Sequence, residues 1–167
     1  VRLGYVGIGS RGSWAVTRIL NIKEIEIRGL CDLREEAVKK NQETLKNFNK
    51  RPAEEYFGDE YAWKKLCEQE DIDLIYIATP WEWHTPIAVY AMECGKHVAV
   101  EVPAAKTLEE CWQLVETSER TKRHCMQLEN CCYDFFEILT VNMVQQGLFG
   151  EVIHGEGAYI HELLSGM

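Results

Sequence analysis

The chain has 167 residues, enough for one sizeable core but too few for two complete domains, and its 46% hydrophobic and 27% charged content is that of a folded globular protein. With 18 Lys+Arg against 27 Asp+Glu the formal net charge is -9, a field that repels polyanions and argues against nucleic acid as a partner. No apolar run reaches the roughly 18 residues of a membrane span, and an odd count of seven cysteines without a C-x-x-C argues for free thiols, not a disulfide framework or metal site.

The chain opens directly in a strand, residues 1–6, with no basic and apolar leader ahead of it. The compartment is therefore read as cytoplasmic, or periplasmic if a leader has been removed. A helix is expected over 10–20, with Trp14, Ala15, Ile19 and Leu20 at helical spacing. A strand over 25–30 ends at Cys31 and Asp32. Residues 34–48 form a helix whose inner face is Val38, Asn41, Leu45 and Phe48, and 49–57, with Pro52 and mixed charge, reads as a surface loop. A helix over 60–70 carries Ala62, Trp63, Leu66 and Cys67.

The run 73–78, D-L-I-Y-I-A, is fit for burial on both faces, as in a parallel sheet. A loop follows over 79–84. Thr85 is then placed to cap, and Pro86 to begin, a helix over 86–94 closed by Gly95. His97–Glu101 is the next strand, stopped by Pro103. The helix after it has a capping-box start, with Thr107 as cap and Glu110 three residues on, and with Leu108, Cys111, Trp112 and Val115 lining one face. Cys125–Leu128 is a further strand. Phe135, Phe136, Leu139 and Met143 stripe the last helix, which ends at Gly147. Strand and helix alternate throughout, so the fold class is α/β, a mostly parallel sheet with helices on both faces.

Residues 151–161 change character: glycines, alternating apolar and polar residues, and no crossover helix to follow. They read as the first strand of a different, α+β domain. The expected organisation is one α/β domain over 1–150 and the start of a second, truncated domain over 151–167.

Chemistry enters at Gly7-Ile8-Gly9-Ser10-Arg11-Gly12, a G-x-G-x-x-G between the first strand and the first helix. Gly7 permits the tight turn, Gly9 lets a pyrophosphate approach the backbone, and Gly12 lets helix and strand pack closely. The phosphates would rest on the free N–H groups at the helix start, around Ser10 and Arg11. Asp32, 20 residues beyond Gly12, can accept the adenosine ribose hydroxyls and repel a 2'-phosphate, so the expected cofactor is NAD and not NADP. Arg34 tempers that preference, because a guanidinium there could reach a phosphate.

Ligands of such sheets lie beyond the carboxyl ends of the strands, where Thr79, Pro80, Trp81, His84, Glu101 and Asn130 fall. Pro80 and Trp81 could flank the dinucleotide, Glu101 could contact the nicotinamide ribose, and Asn130 the nicotinamide end or the substrate. Two alternatives stay open: Trp81 as a cover for apolar surface, and His84 as an imidazole bonded to backbone. His97 and His124 stand at strand starts, the wrong end for chemistry.

Together these residues resemble the Gfo/Idh/MocA oxidoreductase superfamily: the glycine turn, Asp32, A-T-P at Ala78–Pro80 with His84 four beyond the proline, and E-V-P at Glu101–Pro103. The resemblance covers about residues 1–161. It implies a Rossmann domain followed by a carboxyl-terminal domain built on an open, mainly antiparallel sheet, through which copies associate. Most dehydrogenases of this superfamily carry E-K-P, whose lysine assists at the carbinol being oxidised; Val102 can neither move a proton nor stabilise an alkoxide. Longer strings resemble glycoside hydrolase family 109, which includes bacterial alpha-N-acetylgalactosaminidases. These are C-D-L-R-E from Cys31, Y-I-A-T-P-W from Tyr76, H-V-A-V-E-V-P-A-A from His97, L-E-N-C-C-Y-D-F-F from Leu128, N-M-V-Q-Q-G-L-F-G-E from Asn142 and H-G-E-G-A-Y-I-H from His154.

That resemblance implies a glycan substrate and an NAD cycle without net redox change. Hydride leaves sugar C3, the ketone acidifies the C2 proton, the C1 substituent is eliminated, water adds, and hydride returns. Tyr159 and His161 match the family's Y-x-H, with Tyr159 as the proton-transfer residue and His161 as a substrate contact; two apart on a strand, they share a face. Read from the residues alone, the alternative is that Tyr159 packs the sheet and His161 is a polar partner. A sugar or polyol dehydrogenase and a non-catalytic NAD-binding protein are the competing functions.

Overall fold

The computed structural model describes residues 1–129, 131–158 and 160. Contacts divide the chain into two compact units, Val1–Leu128 and Glu129–Met167.

The first unit is a six-stranded sheet in which every pairing is parallel. Its strands are β1 (Arg2–Val6), β2 (Glu26–Cys31), β3 (Glu54–Tyr56), β4 (Leu74–Ile77), β5 (His97–Glu101) and β6 (Cys125–Leu128). Their spatial order is β3-β2-β1-β4-β5-β6. The chain order reverses between β1 and β4, which opens a crevice at the carboxyl end of β1. The crossovers are α1 (Ser10–Ile19), α2 (Glu35–Asn47), α3 (Ala62–Cys67), α4 (His84–Glu93) and α5 (Leu108–Thr121).

Side-chain parity sorts the core into two layers, one on each sheet face. Leu3, Tyr5, Ile27 and Leu30 pack under Ala15 and Val16 of α1 and Ala37, Val38 and Leu45 of α2. Val6, Ile75, Ile77, Val98 and Val100 pack on the other face, under Ala62, Trp63 and Leu66 of α3 and Ile87, Ala88 and Met92 of α4. Apolar residues at both parities are what a sheet covered on both faces requires.

Several local expectations give way to tertiary context. Within 49–57, residues 54–56 form the edge strand β3, because β2 offers an unpaired edge that three residues can satisfy. Thr85 does not cap α4: the helix already begins at His84, and the Thr85 hydroxyl donates to the Ala104 carbonyl oxygen at 3.2 Å. Trp14 and Phe48 are exposed, as are Leu108, Cys111, Trp112 and Val115 of α5. The α5 face that packs against α4 instead carries Leu114 and Thr117, three residues apart in the Glu110–Leu114–Thr117–Thr121 row. The Thr107 capping box is present as expected, the hydroxyl accepting from the Glu110 amide while the Glu110 carboxylate accepts from the Thr107 amide.

The second unit contains a short 3-10 turn, Cys131–Tyr133, and α6 (Phe135–Gln145), which starts after Asp134. Phe135, Phe136 and Leu139 of its expected stripe are exposed. Residues 152–158 and 160, expected to begin a strand of another sheet, have no strand pairing. A strand is defined by its neighbours' hydrogen bonds, and no described residue supplies them.

Candidate cofactor site

The turn from β1 to α1 is built as its glycines require. Gly7 has φ +82°, and a Cβ there would stand 2.6 Å from the Ala78 carbonyl carbon; a Cβ on Gly12 would stand 2.0 Å from the Gly7 carbonyl oxygen. Neither position tolerates a side chain. Among the described residues a Cβ on Gly9 would closely meet only the Arg34 guanidinium, at the end of a long flexible side chain, so this side of the turn has room for a ligand. The α1 start has no side-chain cap and no acid in its first turn. The backbone N–H groups of Ser10, Arg11 and Gly12 meet no acceptor among the described residues. These donors, together with the positive end of the helix dipole, make a built anion site.

Three side chains fix this turn from the sheet's neighbours. Asp32 Oδ2 accepts from the Ile8 amide at 2.9 Å, while its Oδ1 accepts from the Arg34 amide at 3.0 Å and Arg34 Nε at 3.3 Å. Asn41 of α2, buried within an otherwise apolar stripe, donates to the Ile8 carbonyl at 3.2 Å and the Ser13 hydroxyl at 2.8 Å. Ser13 donates in turn to the Ile8 carbonyl at 2.9 Å. Arg34 therefore folds back on Asp32, with its guanidinium beside Gly9 in the lining of the same crevice.

A cavity of about 630 Å³ opens at this point, lined by Gly7, Gly9, Ser10, Arg11, Asp32, Thr79 and Pro80 and also by Leu33, Arg34, Asp59, Glu60, Trp63 and Trp83. The Thr79 hydroxyl and the Trp63 indole N–H are buried without a partner among the described residues. Unpaired buried groups of this kind cost free energy unless something meets them. An open anion cradle, a carboxylate beside it and orphaned polar atoms in the wall suit a dinucleotide.

The other expected residues are distributed less simply. Trp81 is exposed and stands outside the cavity wall; Trp83, two residues on, and Trp63 of α3 occupy the wall instead, their ring centroids 6.2 Å apart. Trp63 lies on the apolar face expected of α3, whereas the 3-10 turn Trp81–Trp83 decides which of the two later indoles faces inward, which no local pattern records. His84 is buried, with Nδ1 2.7 Å from the Pro103 carbonyl oxygen and Nε2 2.8 Å from that of Thr79. It holds the loops after β4 and β5 together, the backbone-bonded alternative.

Glu101 is also buried, at the carboxyl end of β5, where its Oε1 accepts from Arg11 Nε at 3.0 Å and the Tyr76 hydroxyl at 2.7 Å. Burial, and secondarily this bond, pushes the Tyr76 phenol above its ordinary range. His97 and His124 stack at 5.1 Å at the opposite end of the sheet. Asn130, Tyr159 and His161 lie outside the described residues. Among the described residues no group of three or more His, Cys, Asp or Glu could hold a metal ion, and no helix is long and apolar enough to cross a membrane.

Comparison with known proteins agrees with this geometry. The chain is 59% identical over 163 residues to a glycosyl hydrolase family 109 protein of Porphyromonas gingivalis, covering 98% of this chain and 35% of that protein. It is 54% identical over 165 residues to an alpha-N-acetylgalactosaminidase of Bacteroides fragilis, covering 99% of this chain and 39% of the relative. This chain thus spans little more than a third of such relatives. Among solved structures, scyllo-inositol dehydrogenase from Lactobacillus casei, with bound NAD(H) and scyllo-inositol, superposes with a TM-score of 0.78 at 21% identity, over 90% of this chain and 42% of that one. The WlbA dehydrogenase from Chromobacterium violaceum, in complex with NADH and UDP-GlcNAcA, gives 0.76 at 20% identity, over 90% and 41%. These two show the shared fold. Residues 1–128 match the family described as oxidoreductase, NAD-binding Rossmann fold, and the chain belongs to that Gfo/Idh/MocA family, with NAD as its cofactor.

Proposed function

We propose that this chain is the cofactor-binding part of a glycoside hydrolase acting on terminal N-acetylgalactosaminides, through oxidation at sugar C3 that is later reversed. When bound, NAD supplies a hydride acceptor that can give the hydride back, so that the net reaction is exchange of the C1 substituent for water.

In this reading the Ser10, Arg11 and Gly12 amides hold the pyrophosphate and Asp32 takes the adenosine ribose. Thr79 and Pro80 form the adjoining wall, and Glu101 takes the nicotinamide ribose. Asn130 serves the nicotinamide end or the substrate. Tyr159 moves the proton at the reacting sugar carbons, with His161 as a substrate contact, both from the segment read as the start of a second domain near residue 151.

The observation that carries the proposal is Val102. It follows Glu101 at the carboxyl end of β5 and is 43% exposed, a position from which a side chain could meet a ligand. An isopropyl group there can neither accept a proton from a carbinol nor steady an alkoxide, so a net dehydrogenase has lost its assistant. The likeness to family 109 proteins over almost the whole chain supports the same reading.

The test is the intact gene product with a chromogenic N-acetylgalactosaminide and no added NADH. The aglycone should be released while no reduced cofactor accumulates. Free sugar with accumulating NADH would mean a dehydrogenase, and tight NAD binding without turnover of any glycoside would mean a binding protein.

A further inference from the structure

We propose that Tyr76 and Arg11 are positioning residues that aim the Glu101 carboxylate at the ribose of the cofactor's nicotinamide half. The inference rests on the reading of Glu101 as a ribose ligand, and adds how that carboxylate is held.

Sheet geometry brings the three together. Tyr76 on β4 pairs with Ala99 on β5, so Tyr76 and Glu101, two residues beyond Ala99, project on the same face. That face is the one α1 covers, and Arg11 stands in the first turn of α1. The Tyr76 ring is itself fixed, stacked on Tyr5 at 4.6 Å between centroids with 22° between planes, and Tyr5 is fully buried. The Arg11 guanidinium is held from a second side by the Trp14 ring, 4.8 Å away.

Both donors use the same oxygen, Oε1. Oε2 takes no hydrogen bond from any described residue. A carboxylate gripped at one oxygen by a cation and a phenol keeps its rotamer and one acceptor oxygen for a ligand. Its position suits the distal ribose: the β1/β4 crevice receives the pyrophosphate, Asp32 marks the adenosine side at β2, and Glu101 lies on the opposite side, at β5. Arg11 joins the two, its backbone in the phosphate turn and its side chain on Glu101.

The experiment compares NAD, ADP-ribose and ADP by calorimetric titration of the intact protein, in wild type, Tyr76→Phe, Glu101→Gln and the double variant, with thermal unfolding as a folding control. ADP-ribose carries the distal ribose and ADP does not. Tyr76→Phe should weaken NAD and ADP-ribose about tenfold and leave ADP within about twofold, the loss expected for one hydrogen bond to a charged group. Glu101→Gln should do the same, and adding Tyr76→Phe to it should cost little more. If Glu101→Gln selectively weakens the ribose-bearing ligands but Tyr76→Phe does not, the ribose reading stands and the positioning role falls. If Glu101→Gln spares all three ligands, the ribose reading fails and the positioning role fails with it. An equal loss for ADP and NAD in Tyr76→Phe would show a merely structural tyrosine and overturn the proposal.

Discussion

At the residue scale, Asp32 shows how one side chain can serve fold and ligand together. Its oxygens are divided between the Ile8 amide of the glycine turn and Arg34, and it still stands in the cavity wall. A carboxylate has about four acceptor sites, so ribose hydroxyls can join these partners. Asp32→Ala should therefore weaken NAD by tenfold or more, a charged hydrogen bond being worth about 1.5–3 kcal/mol. NADP should lose less, because removing the carboxylate relieves repulsion and releases Arg34 toward a 2'-phosphate. Titration with both cofactors measures the ratio; an equal fall for each would mean that Asp32 acts only by shaping the turn. Asp32 was legible from sequence, because a spacing of 20 residues reflects one helix and one strand of fixed rise. Trp63, Trp83 and Asn41 were not, since their roles depend on which way a short turn or a helix face is rotated.

At the scale of elements, two devices carry separable predictions. The capping box at Thr107 satisfies the Glu110 amide in the first turn of α5 and the Thr107 amide just before it. Thr107→Ala should cost about 1 kcal/mol in denaturant unfolding. NAD affinity should not change, as Thr107 is not part of the cavity wall. At the amino end of the sheet, Asp73 accepts from the Arg2 amide at 2.8 Å and from its guanidinium, tying β1 to the start of β4. These hydrogen bonds pull the Asp73 carboxyl down to about 2. A carboxyl whose folded value is depressed stabilises the fold fully above its unfolded value, about 4, and loses that contribution as pH falls toward 2. Because the pair is partly exposed, solvent screens it and the contribution is modest. Unfolding curves of Asp73→Asn should run closer to wild type at pH 2 than at pH 6; a constant gap across that range would remove the ion pair from the account.

Across the whole molecule, the cysteines distinguish core from surface. Cys31 and Cys67 are buried free thiols, and burial pushes Cys31 up to about 12 and Cys67 higher. Few thiolates form there, so a thiol-specific reagent should leave both unmodified in the native state and label them only on unfolding, as read by peptide mass spectrometry. Labelling of either at the rate of the exposed Cys111 would mean that the two-layer core opens readily. The glycine turn ties into both layers, bonded to Asp32 at the end of β2, to Asn41 of α2 and to Ser13 of α1.

The helices, every strand of the sheet but one, the glycine turn and its partner acid were determined by sequence alone, because hydrophobic period, glycine sterics and capping act over a few residues and leave a local record. Tertiary structure alone decided the edge strand at 54–56, the exposed faces of α5 and α6, the inward indoles and the grip on Glu101. Each of these depends on a partner distant in the chain, whether an unpaired strand edge, a neighbouring helix or a side chain 25 or 90 residues away, and no local pattern encodes where that partner will stand.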